Sequence, residues 1–500
     1  MFILFLLYSI FACHSPQIHD TARFLSDSDA LDECLIQELS FTKSDIIQTP
    51  DRHFDSQYHN EGPNIAVLDL DHNDHPDIIQ CFPMEPGYLI NEHGWHPTPL
   101  LLTCGAMAVL DIDKDGWDDL IVESAESLAS RGKGLQIYQN QNGELIFQRS
   151  IVLDGQVHAI RVADFNQDQE LDLFLAFLGN DESQSDRNRI FLGNGHFDFM
   201  PQPLNDNILD GKTFDVGIGD FNKDGWPDVF VANDRGYEYG GDLLLWNRHG
   251  VLELDDCNCF PVQSAMGADI GDFNKDGLLD IVTGDVVQTH VLQNFGDESF
   301  VDVTMSISAN QMESQEMSWG LRLIDLNNDG QMDLFSAQGD HTYAGLENPE
   351  YEGDLPLSLL MQDEGAFRDL TTRFGFTDTG SFRSIVPLHW NEDGILDYWI
   401  TDVQHGGQLW LSNGCSDENW LNFKGPIGTA IRFRSNNQEL YGELNNSSSY
   451  GASISAHWHI GLGRITEIEQ VEIRYPGQNW EFFAPFLSSN QEIRLGLVDN

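Results

Sequence analysis

The chain has 500 residues, with 25 Lys and Arg against 81 Asp and Glu and a formal net charge of −56. A hydrophobic fraction of 41% is too high for a disordered acidic tail, so the charge belongs to a folded protein long enough for more than one domain. So acidic a surface excludes nucleic acid and anionic lipid as partners held by charge, because phosphate binding depends on Lys and Arg, and it leaves cations as the natural counterpart.

The chain opens MFILFLLYSIFAC, an apolar run of signal-peptide length that is too short to span a bilayer. Residues 1–13 read as a signal peptide, and Ile10 to Cys13 at its end resembles a bacterial lipobox, in which Cys13 would be kept and acylated after cleavage. It departs from that pattern by lacking Lys or Arg before the apolar run and by the bulk of Phe11, so ordinary secretion stays as the alternative. Residues 14–49 are polar with apolar interruptions and read as a tether, or as an extra strand closing the last repeat. Cys34, Cys81, Cys104, Cys257, Cys259 and Cys415 are even in number and match no zinc spacing, so they read as structural and able to form disulfides.

Between residues 50 and 415 one nine-residue phrase recurs. It is DLDHNDHPD from Asp69, DIDKDGWDD from Asp111, DFNQDQELD from Asp164, DFNKDGWPD from Asp220, DFNKDGLLD from Asp272 and DLNNDGQMD from Asp325, with a degenerate HWNEDGILD from His389. One copy would be an ordinary solvated turn, whereas seven in a common register are an internal repeat. Short apolar runs flank the copies, such as Ile65–Leu68 and Met107–Leu110 before them and Leu120–Val122 and Val229–Val231 after them. Such runs bounded by Gly and Asp predict strands. With further strand-like stretches at Gly134–Tyr138 and Asp242–Trp246, about four strands per repeat predict an all-β, seven-bladed β-propeller over 50–415.

A hard cation explains the phrase. Calcium takes about six to eight oxygen ligands, and alternating carboxylates and amides followed by a glycine turn can surround one. Four to six calcium ions are expected. The candidate ligands are Asp69, Asp71, Asn73 and Asp77; Asp111, Asp113, Asp115 and Asp119; and Asp164, Asn166, Asp168 and Asp172. They continue as Asp220, Asn222, Asp224 and Asp228; Asp272, Asn274, Asp276 and Asp280; Asp325, Asn327, Asp329 and Asp333; and finally Asn391, Asp393 and Asp397. The ninth residue, Asp280 for example, is expected to complete the shell, in a bidentate manner if geometry allows. Asp74 and Gln169 replace the glycine of the first and third copies, and His389 replaces the first carboxylate of the seventh, which marks that copy as weak or empty.

Residues 416–500 lack the phrase and alternate like antiparallel strands, as in Thr429–Arg434, which predicts a small β domain beside the propeller. His457 and His459 fall on one strand face and read as structural histidines, with a metal pair as the alternative.

The seven phrases resemble the FG-GAP/VCBS repeats of calcium-loop propellers. Ser264-Ala265-Met266-Gly267 and Met317-Ser318-Trp319-Gly320 resemble the small-Met-Gly pattern of cartilage acidic protein relatives. Asn419-Trp420-Leu421, Ser449-Tyr450-Gly451, His459-Ile460-Gly461-Leu462-Gly463 and Ile473-Arg474-Tyr475-Pro476-Gly477 are similar to the ASPIC/UnbV domain, departing at Ile460 and Tyr475. The resemblance implies an exported, calcium-stabilised, non-enzymatic binding or adhesion module. It would sit at a cell surface, or in the periplasm or outer membrane as a lipoprotein, or be secreted, and would touch a membrane only through an anchor at Cys13. Its partner would be an unknown protein or glycan met through propeller loops. The chain carries no G-x-S-x-G, HExxH, P-loop or dinucleotide motif. Glu170 and Asp118 are isolated carboxylates, and Trp117 and Trp226, each at position seven of a phrase, read as covers for a blade edge. The alternative is a lyase-like enzyme acting on polysaccharide, against which the scarcity of basic residues counts.

Overall fold

The computed structural model describes residues 39–48, 63–81, 87–91, 94–101, 105–123, 134–177, 187–202, 212–234, 241–255, 264–286, 288–309, 317–339, 355–363, 365–403, 405–435, 438–447 and 449–496. The expectations for residues 1–13, including Cys13, and for Cys34, Cys104, Cys257 and Cys259 lie outside them. Every regular element among the described residues is a strand.

Each phrase joins the first and second strands of a four-stranded antiparallel meander. In the second repeat the strands are Met107–Leu110, Asp119–Glu123, Gly134–Gln141 and Glu144–Val152, paired in that order. The pattern recurs from Asn64, Val157, Lys212, Gly267 and Ser318, and in every copy the ninth residue of the phrase opens the second strand. The seventh sheet has three strands in sequence, Phe382–Leu388, Asp397–Asp402 and Gly406–Ser412. Its fourth comes from the other end of the chain, where Phe41–Gln48 pairs antiparallel with Gly406–Ser412. That pairing ties the two ends of the repeat array into one sheet.

Apolar content sorts the strands radially. Asp172–Phe177, a second strand, is buried throughout, whereas Glu144–Val152, an outer strand, is mostly exposed. A strand covered on both faces reads as a continuous apolar run, and one at the rim alternates. The core lies between neighbouring sheets: Phe174 and Ala176 of the third pack with Val216, Val229 and Val231 of the fourth. The Phe and Val side chains among these contribute about 1.5–3 kcal/mol each on burial. Cys81 and Cys415 are disulfide-bonded.

The C-terminal region forms one sheet from Ala430–Ser435, Gln438–Glu443, Glu467–Arg474 and Glu481–Ser488. Facing it, Ala452–Gly463 pairs with Asn419–Lys424, which also pairs with Gln491–Arg494. Alternation divides the second layer: Leu421, Phe423, Ile460, Leu462 and Ile493 enter the domain core. The intervening residues Trp420, Asn422, Lys424, His457, His459 and Glu492 therefore share the opposite face.

This layer also reaches into the propeller. Ala452–Ile454 runs parallel to Ile65–Val67, the first strand of the first sheet. Ser453 Oγ accepts from Val109 N of the second sheet at 3.0 Å, and Arg161 of the third donates to Ala452 O at 3.3 Å. Tyr450 packs with Phe214, Met266, Met317 and Trp319, residues at the start of the fourth, fifth and sixth repeats. Ser384 of the seventh donates to Tyr450 O. A segment touching the inner end of every sheet lies on the axis around which they are arranged, so residues 445–447 and 449–454 plug the centre. The small-Met-Gly and Ser-Tyr-Gly stretches are thus partners: a Cβ on Gly320 would collide with Ser449 Oγ and Arg383 O.

Candidate metal centres

All seven phrases share one backbone course. The fourth residue is left-handed in each, with φ between 56° and 62° from His72 through Lys114, Gln167, Lys223, Lys275 and Asn328 to Glu392. The sixth is left-handed too: glycine at 116, 225, 277, 330 and 394, but Asp74 at 70° and Gln169 at 72° in the first and third copies. Aspartate tolerates this region well and glutamine less so. The strain at the fourth position, held by non-glycine residues, carries no sequence signature.

Local hydrogen bonds build the loop. In the fifth copy Asp272 Oδ1 accepts from Asp276 N at 3.1 Å and Oδ2 from Gly277 N at 2.8 Å, while Asp276 Oδ1 accepts from Leu278 N at 2.9 Å. The ninth carboxylate works differently. Asp280 Oδ2 accepts from Phe273 N at 3.1 Å and Oδ1 from Asn294 N, on the third strand, at 2.7 Å. Asp119, Asp172, Asp228, Asp333 and Asp397 repeat this double acceptance. Each oxygen accepts one backbone N–H and keeps one further lone pair for a ligand, except Asp397 Oδ2, which accepts from both Trp390 N and Asn391 N. An amide on the third strand adds a link between sheets: Asn140, Asn247, Asn294 and Gln362 each donate to the second-residue carbonyl of the preceding phrase. Those amides, spaced well outside the phrase, were not among the expected functional residues.

The loops fit a hard cation. Carboxylate oxygens of Asp69, Asp71 and Asp77 lie within 4.8 Å of one another, as do those of Asp111, Asp113 and Asp115. Asp113 Oδ1, Asp220 Oδ1 and Asp325 Oδ1 are buried without a donor. Burial pushes Asp111 up to about 7, Asp119 and Asp280 to about 8, Asp164 to about 6, Asp172 and Asp272 to about 7, and Asp228 to about 9. Asp325 and Asp333 rise well above the carboxylate range for the same reason. Neighbouring aspartates add to the shift, which is the cost of gathering like charges where water is scarce. The fourth loop has a cation of its own chain: Arg474 Nη2 donates to Asp220 Oδ2 at 2.7 Å.

The seventh loop departs. His389 lies against Trp420 and His459 of the C-terminal domain, with ring centroids 5.6 and 5.0 Å away. Asp393 Oδ2 accepts from Asn391 Nδ2 at 2.9 Å, as the fifth residue does from the third in loops three to six, and in addition from Ser412 Oγ.

The C-terminal domain sits on the face that carries the phrases. Arg494 meets Asp74 of the first at 2.5 Å, Ser455 Oγ donates to Asp118 of the second at 2.5 Å, and Gln438 donates to Lys275 O of the fifth at 2.9 Å. Gly463 N donates to Asn328 O of the sixth at 2.9 Å, where a side chain on Gly461 would strike Asp325. A cavity of about 1190 Å³ remains between the first, second, third and seventh phrases and this domain. Asp118 lines it; burial raises its carboxyl above the usual range, and the Ser455 hydrogen bond opposes that rise. Glu170 pairs with Lys114 at 3.0 Å. Trp117 stacks flat on His72 of the preceding phrase, with centroids 3.5 Å apart, and Trp226 meets His249 edge-on.

Repeats, loops and cap together define a class. Residues 111–175, 164–231, 220–283 and 272–336 match the FG-GAP-like repeat, and residues 422–495 match the ASPIC and UnbV domain. The chain belongs to the FG-GAP-repeat, ASPIC/UnbV type of β-propeller protein. The first and seventh phrases fall outside the matched residues, whereas the third, with Gln169 at position six, falls inside them. No curated protein matches the chain. Among solved structures it is similar to an Agrocybe aegerita lectin that recognises non-reducing terminal N-acetylglucosamine, at 18% identity over 64% of this chain and 82% of that one, with a TM-score of 0.42. It is similar also to BBS1N in complex with ARL6DN, at 11% identity over 72% and 96%, with a TM-score of 0.46. A third is the extracellular domain of a putative hybrid two-component system from B. thetaiotaomicron, at 9% identity over 91% and 57%, with a TM-score of 0.45.

Proposed function

We propose that the protein is an exported, calcium-stabilised binding module without catalytic activity, its seven sheets forming seven propeller blades. The observation that carries this reading is the set of buried carboxylate oxygens without donors in repeated loops, Asp113, Asp220 and Asp325 among them. Positions one, three and five of phrases one to six would hold the ions, with position nine orienting the loop and lending a lone pair. Calcium, when bound, supplies charge compensation that these carboxylates lack, apart from Asp220, which Arg474 already meets. The seventh loop, with His389 in place of its first carboxylate and Asp393 engaged by Ser412, would hold none.

The C-terminal domain covers the phrase face, so recognition through those loops is confined to what the cavity admits. A glycan fits a space of about 1190 Å³ lined by Trp420, Tyr475, Lys424 and Glu492, whereas a protein partner must use the outer surfaces. Disulfides at Cys81 and Cys415 support an oxidising, extracytoplasmic location, with secretion and a lipid anchor at Cys13 both open to it. The polysaccharide-enzyme alternative rests on Asp118, a buried carboxyl facing that cavity.

Calcium titration into metal-stripped protein, followed by heat and by thermal unfolding, tests the first part: four to six equivalents with a rise in melting temperature are expected. One or two equivalents without stabilisation would overturn it. Glycan arrays at saturating calcium test the second, and a captured polysaccharide recovered cleaved would replace the binder with the enzyme.

A further inference from the structure

The seventh phrase lost its first carboxylate to a histidine, and the C-terminal domain supplies what faces that histidine. His389 Nε2, His459 Nδ1 and Asn422 Oδ1 are all buried without a hydrogen-bond partner. Asn422 and His459 are directly paired residues on neighbouring strands, and the His389 and His459 rings stand 5.0 Å apart. Three orphaned polar atoms in one place call for a shared partner.

Their lone pairs can be assigned. Asn328 Nδ2 donates to Gly394 O at 3.0 Å, which leaves its Oδ1 as acceptor toward His459 Nε2 at 2.7 Å. His459 therefore carries its proton on Nε2 and leaves Nδ1 a bare, buried acceptor. Asn422 Nδ2 donates to Glu492 Oε2 at 3.2 Å, so its Oδ1 is the free end. Each of these two groups is thus held by a second group behind it, the arrangement that orients metal ligands.

We infer that His389, His459 and Asn422 form a transition-metal site between the seventh blade and the C-terminal domain, of the kind that takes zinc. A zinc–nitrogen bond of about 2.0–2.1 Å, with roughly 1.1 Å more to the ring centroid, makes an arm of roughly 3.2 Å. Two such arms whose ends are 5.0 Å apart enclose an angle of roughly 100°, close to tetrahedral. Two imidazoles and an amide oxygen suit zinc and not calcium, which prefers oxygen alone. His389 lines the interdomain cavity, which gives the ion a route in and leaves the fourth position to water or to a ligand there. The site would pin the C-terminal domain to the blade whose calcium loop has been given up. It is independent of calcium in the other loops.

The test titrates Zn²⁺ into the full chain at saturating calcium, which keeps zinc from the carboxylate loops. One tight equivalent is expected for the native chain, weakened about 100-fold or more in His389→Gln and in His459→Gln, and unchanged in His196→Gln at an exposed histidine. Equal binding by the native chain and His389→Gln would overturn the site, as would no binding at all. Should a variant fail to fold, Co²⁺ added to the native chain gives the second reading. Tetrahedral ligand-field absorption supports the site, and a purely octahedral aquo-like spectrum refutes it.

Discussion

The second and seventh phrases trace the same path with different chemistry. Lys114 and Gly116 have φ of 59° and 89°; Glu392 and Gly394 have 57° and 88°. In both, the ninth carboxylate takes backbone N–H groups from the loop and from the third strand: Ile112 and Asn140 for Asp119, Trp390 and Ser412 for Asp397. Yet Asp111, Asp113 and Asp115 cluster their oxygens, while His389 turns to the C-terminal domain. The loop is therefore a scaffold set by position nine and two left-handed residues. The ion binding we propose is a separate property, carried by positions one, three and five.

The largest effects should come from the shared scaffold. Asp119→Ala and Asp397→Ala each strand at least two buried N–H groups, and each should cost about 4 kcal/mol in denaturant unfolding. A cost under about 1 kcal/mol at Asp397 alone would break the comparison, since position nine would then matter only where an ion binds.

Next comes the calcium-dependent part. At calcium about a hundredfold above its dissociation constant, Asp111→Ala should forfeit about 2.7 kcal/mol of stabilisation, and His389→Ala should leave the calcium-dependent part unchanged. Equal losses from the two would show the seventh loop to be a calcium site after all.

The pH response sharpens the contrast. In metal-free buffer Asp111 and Asp397 titrate near 7 and Asp119 near 8 in the folded chain, all raised by burial from 3.8. Between pH 4 and about 8 the folded state thus holds protons that the unfolded state has released, so stability falls as pH rises through that window. Calcium should reverse the trend, since ligands must shed their protons to bind it and stabilisation grows over the same interval. Melting temperatures at pH 5 and pH 8, with and without calcium, check this; calcium-free protein that is more stable at pH 8 would contradict it.

The smallest effect is a gain. His389→Asp combined with Asn391→Asp should add one weak calcium equivalent by calorimetry, with a gain in stability smaller than the Asp111→Ala loss, because Ser412 still engages Asp393.

The strands and loops were legible because their causes are local. Runs such as Leu173–Leu175 are apolar on both faces wherever two sheets enclose them, and Asp-x-Asn-x-Asp-Gly states its own turn. The left-handed fourth residues were not legible, since Lys, Gln, His, Asn and Glu all occupy them under constraint from the loop's hydrogen bonds on either side. Nor were Asn140 and its counterparts, whose partners lie one sheet away.

By itself the sequence determined the repeat, its period and the acid content of each loop, since alternation, glycine position and charge act over a few residues. Only the tertiary structure decided which way the loops face and what meets them. The cap on the phrase face, Tyr450 on the axis, the strand Phe41–Gln48 completing the last sheet and His389 beside His459 all join residues tens to hundreds of positions apart. Such pairings depend on how apolar faces and unpaired strand edges are covered in three dimensions, and no short stretch of chain records that.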